Sequence, residues 1–252
     1  MGLGKQIRMN RIFANPSGNL CSVAIDHYIG YQAGIPAGLQ NLRNTLASVM
    51  AGPPDAVTMH KGTAAALWGP YAGAVPLILQ SSFVRTDDTA IEQFVTVEEA
   101  LRLGADAIAV VIYVRGDSEV KYLRILSDTV EAGARHELPV ICHVYPRGAS
   151  NEIVYNPEDI AWGVRCAAEV GADVVKTPWC GDLAAHTQIV DRCPVPLVAA
   201  GGPQSDTLDD ALAMFRDLLQ AGVRGGVIGR NIWGHADVTG TLRAFRRVIH
   251  GE

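Results

Sequence analysis

The chain is short of positive charge, of long apolar runs and of paired cysteines, and each shortage excludes a class of function. Lys and Arg number 21 against 26 Asp and Glu, a formal charge of −5, so the basic stripe that grips a nucleic acid is missing. No apolar run reaches about 18 residues, the length a membrane-spanning helix needs. Lys5, Arg8 and Arg11 near the start are not followed by the apolar stretch of a secretory signal. A cytoplasmic protein without nucleic-acid or membrane partners is expected. The five cysteines, Cys21, Cys142, Cys166, Cys180 and Cys193, are odd in number and contain no C-x-x-C pair, which argues against a disulfide framework and a structural zinc site. Cys180, four residues after Lys176, is the one placed for chemistry, and simple packing explains it as well. H-x-H and H-E-x-x-H spacings are also missing, so neither metal nor cofactor is expected, and His27, His60 and His143 read as hydrogen-bonding groups.

What is present is an alternation of strands and helices over 252 residues, with no Ser/Pro-rich linker or charge run to divide it. Eight apolar, β-branched runs stand out: 20–26, 55–60, 76–82, 107–114, 139–145, 173–176, 196–201 and 225–230. Helical spacing separates many of them, as in Leu39, Leu42, Leu46 and Val49, and again in Leu208, Ala211, Leu212, Phe215, Leu218 and Leu219. Thr96 with Glu99 has the form of a capping box, and Gly104, Gly171 and Gly222 fall where helices need a left-handed C-cap. Two architectures fit, a closed (β/α)8 TIM barrel and an open doubly wound sheet. The barrel is the better match, because eight units in about 250 residues is its usual size and no G-x-G-x-x-G follows the first strand. A single-domain α/β barrel spanning 1–252 is therefore expected.

In such a barrel the chemistry gathers where strands end, and here polar residues close the runs. Lys176 lies at the end of a short apolar strand, where an amine is either costly or used. Tyr145 closes the neighbouring strand, and the two side chains converge over one axis. Moving a lysine from a pKa of about 10.4 to about 7–8 takes roughly 3–5 kcal/mol, which burial and a second cation can supply. Lys61 and Arg147 are candidates for that cation, and equally for anchors of a substrate anion. Asp26 closes the first run as a proton carrier, a hydroxyl ligand or a backbone-satisfied carboxylate. Gly201–Gly202 and Gly229 close the last two strands, where backbone N–H groups commonly cradle a phosphate and Arg230 adds charge. A phosphorylated small-molecule substrate follows, with His27 and His143 as further binding groups.

Taken in order, these residues resemble a known family. Gly4-Lys5, Arg8, Arg11-Ile12-Phe13, Ala24-Ile25-Asp26-His27, Met59-His60-Lys61-Gly62, Tyr145-Pro146-Arg147-Gly148, Val175-Lys176-Thr177, Gly181-Asp182, Ala200-Gly201-Gly202-Pro203 and Gly229-Arg230-Asn231-Ile232 are similar to the archaeal-type class I fructose-bisphosphate aldolases. Relatives of that family include an aminodeoxyheptulosonate synthase and an autoinducer-processing thiolase. The resemblance implies a Schiff base on Lys176, proton transfer by Tyr145, Asp26 as their polar partner, a phosphate cradle at Gly201, Gly202 and Gly229, and a homo-oligomer. Three departures bear on the substrate: Tyr28 in place of the usual glycine, Pro178-Trp179-Cys180 after the lysine, and His143 where the family often carries Trp or an apolar residue. They point away from fructose bisphosphate while leaving the reaction type intact. Acyl transfer from a phosphorylated diketone, with His143 as base, is the alternative activity; a non-catalytic phosphosugar-binding barrel is a third.

Overall fold

The computed structural model describes residues 2–27, 29 and 34–252, and Tyr28 lies outside them. Eight parallel strands close into a barrel: Leu20–Ala24, Ala56–His60, Leu77–Gln80, Ala107–Val114, Val140–Pro146, Val174–Thr177, Leu197–Ala200 and Gly225–Ile228. They run round the barrel in sequence order, the first pairing with the eighth through Leu20–Gly225 to Val23–Ile228. All eight runs read from the sequence are strands, their ends agreeing to within about two residues.

Strand periodicity divides each run into an inner and an outer set. Leu20, Ala56, Ile78, Ala107, Ile141, Val174, Val198 and Val227 form one apolar cluster inside the barrel, large side chains alternating with alanines so that the interior fills. The intervening residues, Cys21, Val57, Leu77, Ile108, Cys142, Val175 and Leu197 among them, pack outward under the helices. The helix Leu3–Ile12 closes the floor, and Ile12 is fully buried in the inner cluster. Lys5 on that helix reaches Asp173 at 2.9 and 3.0 Å, and Asp173 also accepts from the Val140 N–H at 2.9 Å. One carboxylate thus ties the floor helix to the base of the fifth strand.

The capping signals are seen where expected. Thr96 accepts from the Glu99 N–H ahead of the helix Val97–Arg102, and Gly104, Gly171 and Gly222 have φ of +76°, +105° and +92°. The box is only half made, because the Glu99 carboxylate turns to Lys61 at 3.1 Å instead. One element was not legible. After the third strand the chain makes a small antiparallel hairpin, Ser82–Val84 with Ile91–Gln93, before the helix begins. The 76–82 run therefore holds a barrel strand and the start of this excursion.

Replacing Asp173 by Ala leaves the Lys5 ammonium buried without its counter-charge, a change that typically costs about 3–5 kcal/mol. Urea denaturation should show that loss, while the reactivity of Lys176, three residues on but at the other end of the strand, stays near wild type. A stability loss below about 1 kcal/mol would show that the floor is held by Ile12 packing alone.

Candidate active site

Strand register puts the site together. His143 pairs with Lys176 across the fifth and sixth strands, and Tyr113 pairs with Tyr145 one repeat nearer the mouth, their rings 6.3 Å apart. Spacing by two residues keeps Ile141, His143 and Tyr145 on the same inner face. All of these except Ile141 line a cavity of about 560 Å3 at the C-terminal end of the barrel, together with Asp26, His27, Gly201, Gly202, Gly229 and Arg230.

Lys176 is 5% exposed, and burial is the main force on its ammonium. Burial and the Arg230 guanidinium outweigh the pull of Asp26 and bring its pKa down to about 8. The cation that helps is therefore Arg230, in place of Lys61 or Arg147. Asp26 behaves oppositely. Burial would raise it, but His27, His60, Lys176 and His143 together hold it at about 2. Burial likewise drives His27 to about 4 and His143 well below its ordinary value, so both imidazoles are neutral near pH 7.

Asp26 is aimed by a relay of amides. The Ser82 N–H donates to Gln80 Oε1 at 3.0 Å, which fixes the amide orientation, and Gln80 Nε2 donates to Asp26 Oδ2 at 3.1 Å. His27 Nδ1 lies 3.4 Å from Asp26 Oδ1. His60 Nε2 is 2.8 Å from the Asp26 carbonyl oxygen; facing an acceptor, it is the protonated nitrogen. His60 thus fastens backbone, which a reading of residue types does not reveal.

The glycine turns after the last two strands sit on one clasp. The buried Asn231 donates to the carbonyls of Gly201 and Pro203 at 2.7 and 2.9 Å and accepts from the Ser205 N–H at 2.8 Å, binding the loop after the seventh strand to the one after the eighth. Gly229 admits no side chain, since a Cβ there would lie 2.4 Å from His27 Cε1. Gly202 has φ +74° and open space around its Cα, so only its backbone presents itself to the cavity. Gly201, Gly202, Gly229 and Arg230 thus line one wall of the cavity.

Two expected ligands are elsewhere. Lys61 opens the helix Lys61–Leu67 and pairs with Glu99, away from the cavity, because the second strand ends one residue earlier at His60. Arg147 is buried beneath the hairpin, donating to the Thr86 carbonyl at 2.6 Å and Asp88 at 2.8 Å and stacking over Tyr113 and Tyr122. It braces a wall and does not face the substrate space. Cys180 is also outside the lining residues, its thiol donating to the Asp182 carbonyl. Gln80 and Tyr113, which also stand at the ends of their runs, line the cavity as well, and the hairpin residues Arg85, Thr86 and Asp87, to which nothing in the sequence points, line the side opposite the glycine turns. Asn231 is visible in the sequence as part of Gly229-Arg230-Asn231-Ile232, but its part as a clasp is not.

A model of the family described as DeoC/LacD family aldolase matches residues 20–235. The chain belongs to that family. It is 32% identical over 252 residues to the 2-amino-3,7-dideoxy-D-threo-hept-6-ulosonate synthase of Halobacterium salinarum, covering 99% of this chain and 92% of the relative. With the class 1 fructose-bisphosphate aldolase of Thermoproteus tenax it shares 31% identity over 202 residues, 78% of this chain and 75% of that one. A solved archaeal fructose-1,6-bisphosphate aldolase, its catalytic Lys covalently bound to the carbinolamine intermediate of the substrate, matches with a TM-score of 0.87 at 29% identity, over 98% of this chain and 100% of the other. This DeoC/LacD aldolase is a class I, Schiff-base lyase on a single (β/α)8 barrel.

A neutral amine is the reactive form, so acylation of Lys176 by a small reagent should rise with pH through a midpoint at about 8 before it levels off. Arg230→Gln removes a charge that lowers the pKa and should move the midpoint up; Asp26→Asn removes one that raises it and should move the midpoint down. Site-resolved mass spectrometry reads both. Equal midpoints in all three proteins would mean that burial alone sets the amine.

Proposed function

We propose that Lys176 is the Schiff-base nucleophile of this aldolase and that its donor substrate is a phosphorylated ketone. The buried amine with a pKa of about 8, at the level of the cavity and beside a backbone anion cradle, carries this reading. Neutral Lys176 attacks the ketone, and the resulting protonated imine takes up the electron pair when the adjacent carbon–carbon bond breaks, or returns it when the bond forms. Tyr145, one repeat nearer the mouth, moves the hydroxyl proton of the bond being broken. Asp26, ionised and aimed by Gln80, holds substrate hydroxyl and stabilises the positive imine. Gly202, Gly229 and Arg230 take the phosphate, with His27 against Gly229 shaping that wall.

The aldehyde enters on the opposite side, under the hairpin. The Halobacterium relative is a synthase by name, and bond formation to a ketone donor suits a cavity whose anion site lies at one end. We place the enzyme in the cytoplasm as a homo-oligomer, in line with the family resemblance. Among the described residues no helix is long and apolar enough to cross a membrane.

Incubation with dihydroxyacetone phosphate and borohydride should add one substrate mass at Lys176. Lys176→Arg should lose both adduct and turnover, since a guanidinium keeps the charge but is no nucleophile. An adduct at another lysine would sink the assignment. Tyr145→Phe should still form the adduct while turnover falls by about 10²–10⁴-fold. Arg230→Ala removes a charge-assisted contact of about 1.5–3 kcal/mol, and KM for the phosphorylated ketone should rise roughly 10- to 150-fold, more than kcat falls. An unchanged KM would place the phosphate elsewhere.

A further inference from the structure

Carbinolamine formation leaves one proton in the wrong place, and one cavity group is positioned to move it. When the Lys176 lone pair bonds the ketone carbon, the carbonyl π pair moves to oxygen. The nitrogen then carries a surplus proton and the oxygen lacks one. We infer that His143 carries this proton from the Lys176 nitrogen to the carbinol oxygen, an inference that rests on Lys176 being the nucleophile.

The geometry supports this role in three ways. His143 and Lys176 are register partners on hydrogen-bonded strands, both on the inner face, so their side chains are neighbours. The imidazole is 3% exposed and lines the cavity, yet its buried Nε2 has no hydrogen-bond partner among the described residues. An imidazole nitrogen sealed from water without a partner costs stability, and a proton shuttled by substrate chemistry gives it a use. Other groups are engaged or misplaced. Asp26 Oδ2 accepts from Gln80 and Oδ1 faces His27, while Tyr145 stands one repeat closer to the mouth.

The protonation state fits the task. Burial and the Lys176 charge keep His143 neutral against the pull of Asp26, so a lone pair is available when the adduct forms. An imidazolium in that setting is a strong acid and passes its proton on at once to the alkoxide. Nitrogen loses one proton, oxygen gains it, and His143 ends as it began, with no oxidant, reductant or net proton involved. The same relay runs backwards when the product imine is hydrolysed. The Trp or apolar residue that the family often carries at this position could not act so.

The test is the rate of adduct formation at Lys176, measured by quenching dihydroxyacetone phosphate mixtures with borohydride over time. His143→Phe fills the volume without a proton relay, and trapping should slow by about 10²-fold or more while the final adduct yield at long times is preserved. His143→Ala leaves a space, and added imidazole should restore its trapping rate in proportion to concentration, which a packing role would not produce. His143→Gln, able to hydrogen-bond but not to relay a proton through neutral and charged forms, should resemble the phenylalanine variant. Thermal melting confirms which variants are folded, and the alanine and glutamine proteins decide the matter if the phenylalanine protein is not. Trapping at the wild-type rate in any folded variant, or an alanine variant slowed but deaf to imidazole, overturns the inference. Absence of any Lys176 adduct in the wild-type protein would instead remove the Schiff-base assignment beneath it.

Discussion

A lysine amine enclosed near the top of a closed barrel has too little water to support its charge, and the rest of the site follows from that constraint. A parallel barrel is filled by side chains from every second residue, so the interior below Lys176 is largely apolar packing down to Ile12. Burial alone would drive the amine further toward neutrality. Asp26 restrains it, and Arg230 pushes the other way. The three charges lie on strand ends one, six and eight, so only closure of the sheet brings them into range of one another. The amine is therefore a property of the whole barrel and not of the strand that carries it.

Much of this was readable without coordinates, for reasons specific to the elements concerned. The eight runs were legible because strands covered on both faces must be apolar throughout, and the residue that ends each run is where that demand stops. Lys176, Tyr145, Asp26, Gly201, Gly202 and Gly229 stood out as polar or small residues at those ends. Lys61 shows where the argument fails. It too follows a run, but the strand ends at His60 and the helix starts at once, and the first helical residue swings away from the mouth toward Glu99. A residue that follows a strand faces the mouth only where the chain continues as a loop, and here it continues as a helix.

Arg147 fails for a different reason. It closes a strand in a polar segment, as a ligand would, yet it serves a hairpin whose presence no periodicity announced, because strands of three residues are too short to establish alternation. Asp88 in that hairpin has φ +60° and gathers Arg147, Ser118 and Tyr122 around its carboxylate. The place of Gln80 at a strand end is legible but its task is not, since an amide there does not show whether it meets substrate or orients a carboxylate. Such second contacts are set by three-dimensional neighbours, and they carry no local pattern.

The hairpin has a consequence for how such an enzyme changes its work. No barrel ladder bond passes through residues 85–90, whose pairing is internal to the excursion or runs to Arg147, Ser118 and Tyr122. The opposite wall has no such freedom, because a Cβ at Gly229 strikes His27 and Asn231 ties both loops together. One end of the cavity is thus built into the barrel and the other is hung on it. Sequence change within 85–90 can therefore reshape one end of the cavity without touching the barrel ladder, as long as a carbonyl and a carboxylate remain in reach of the buried Arg147.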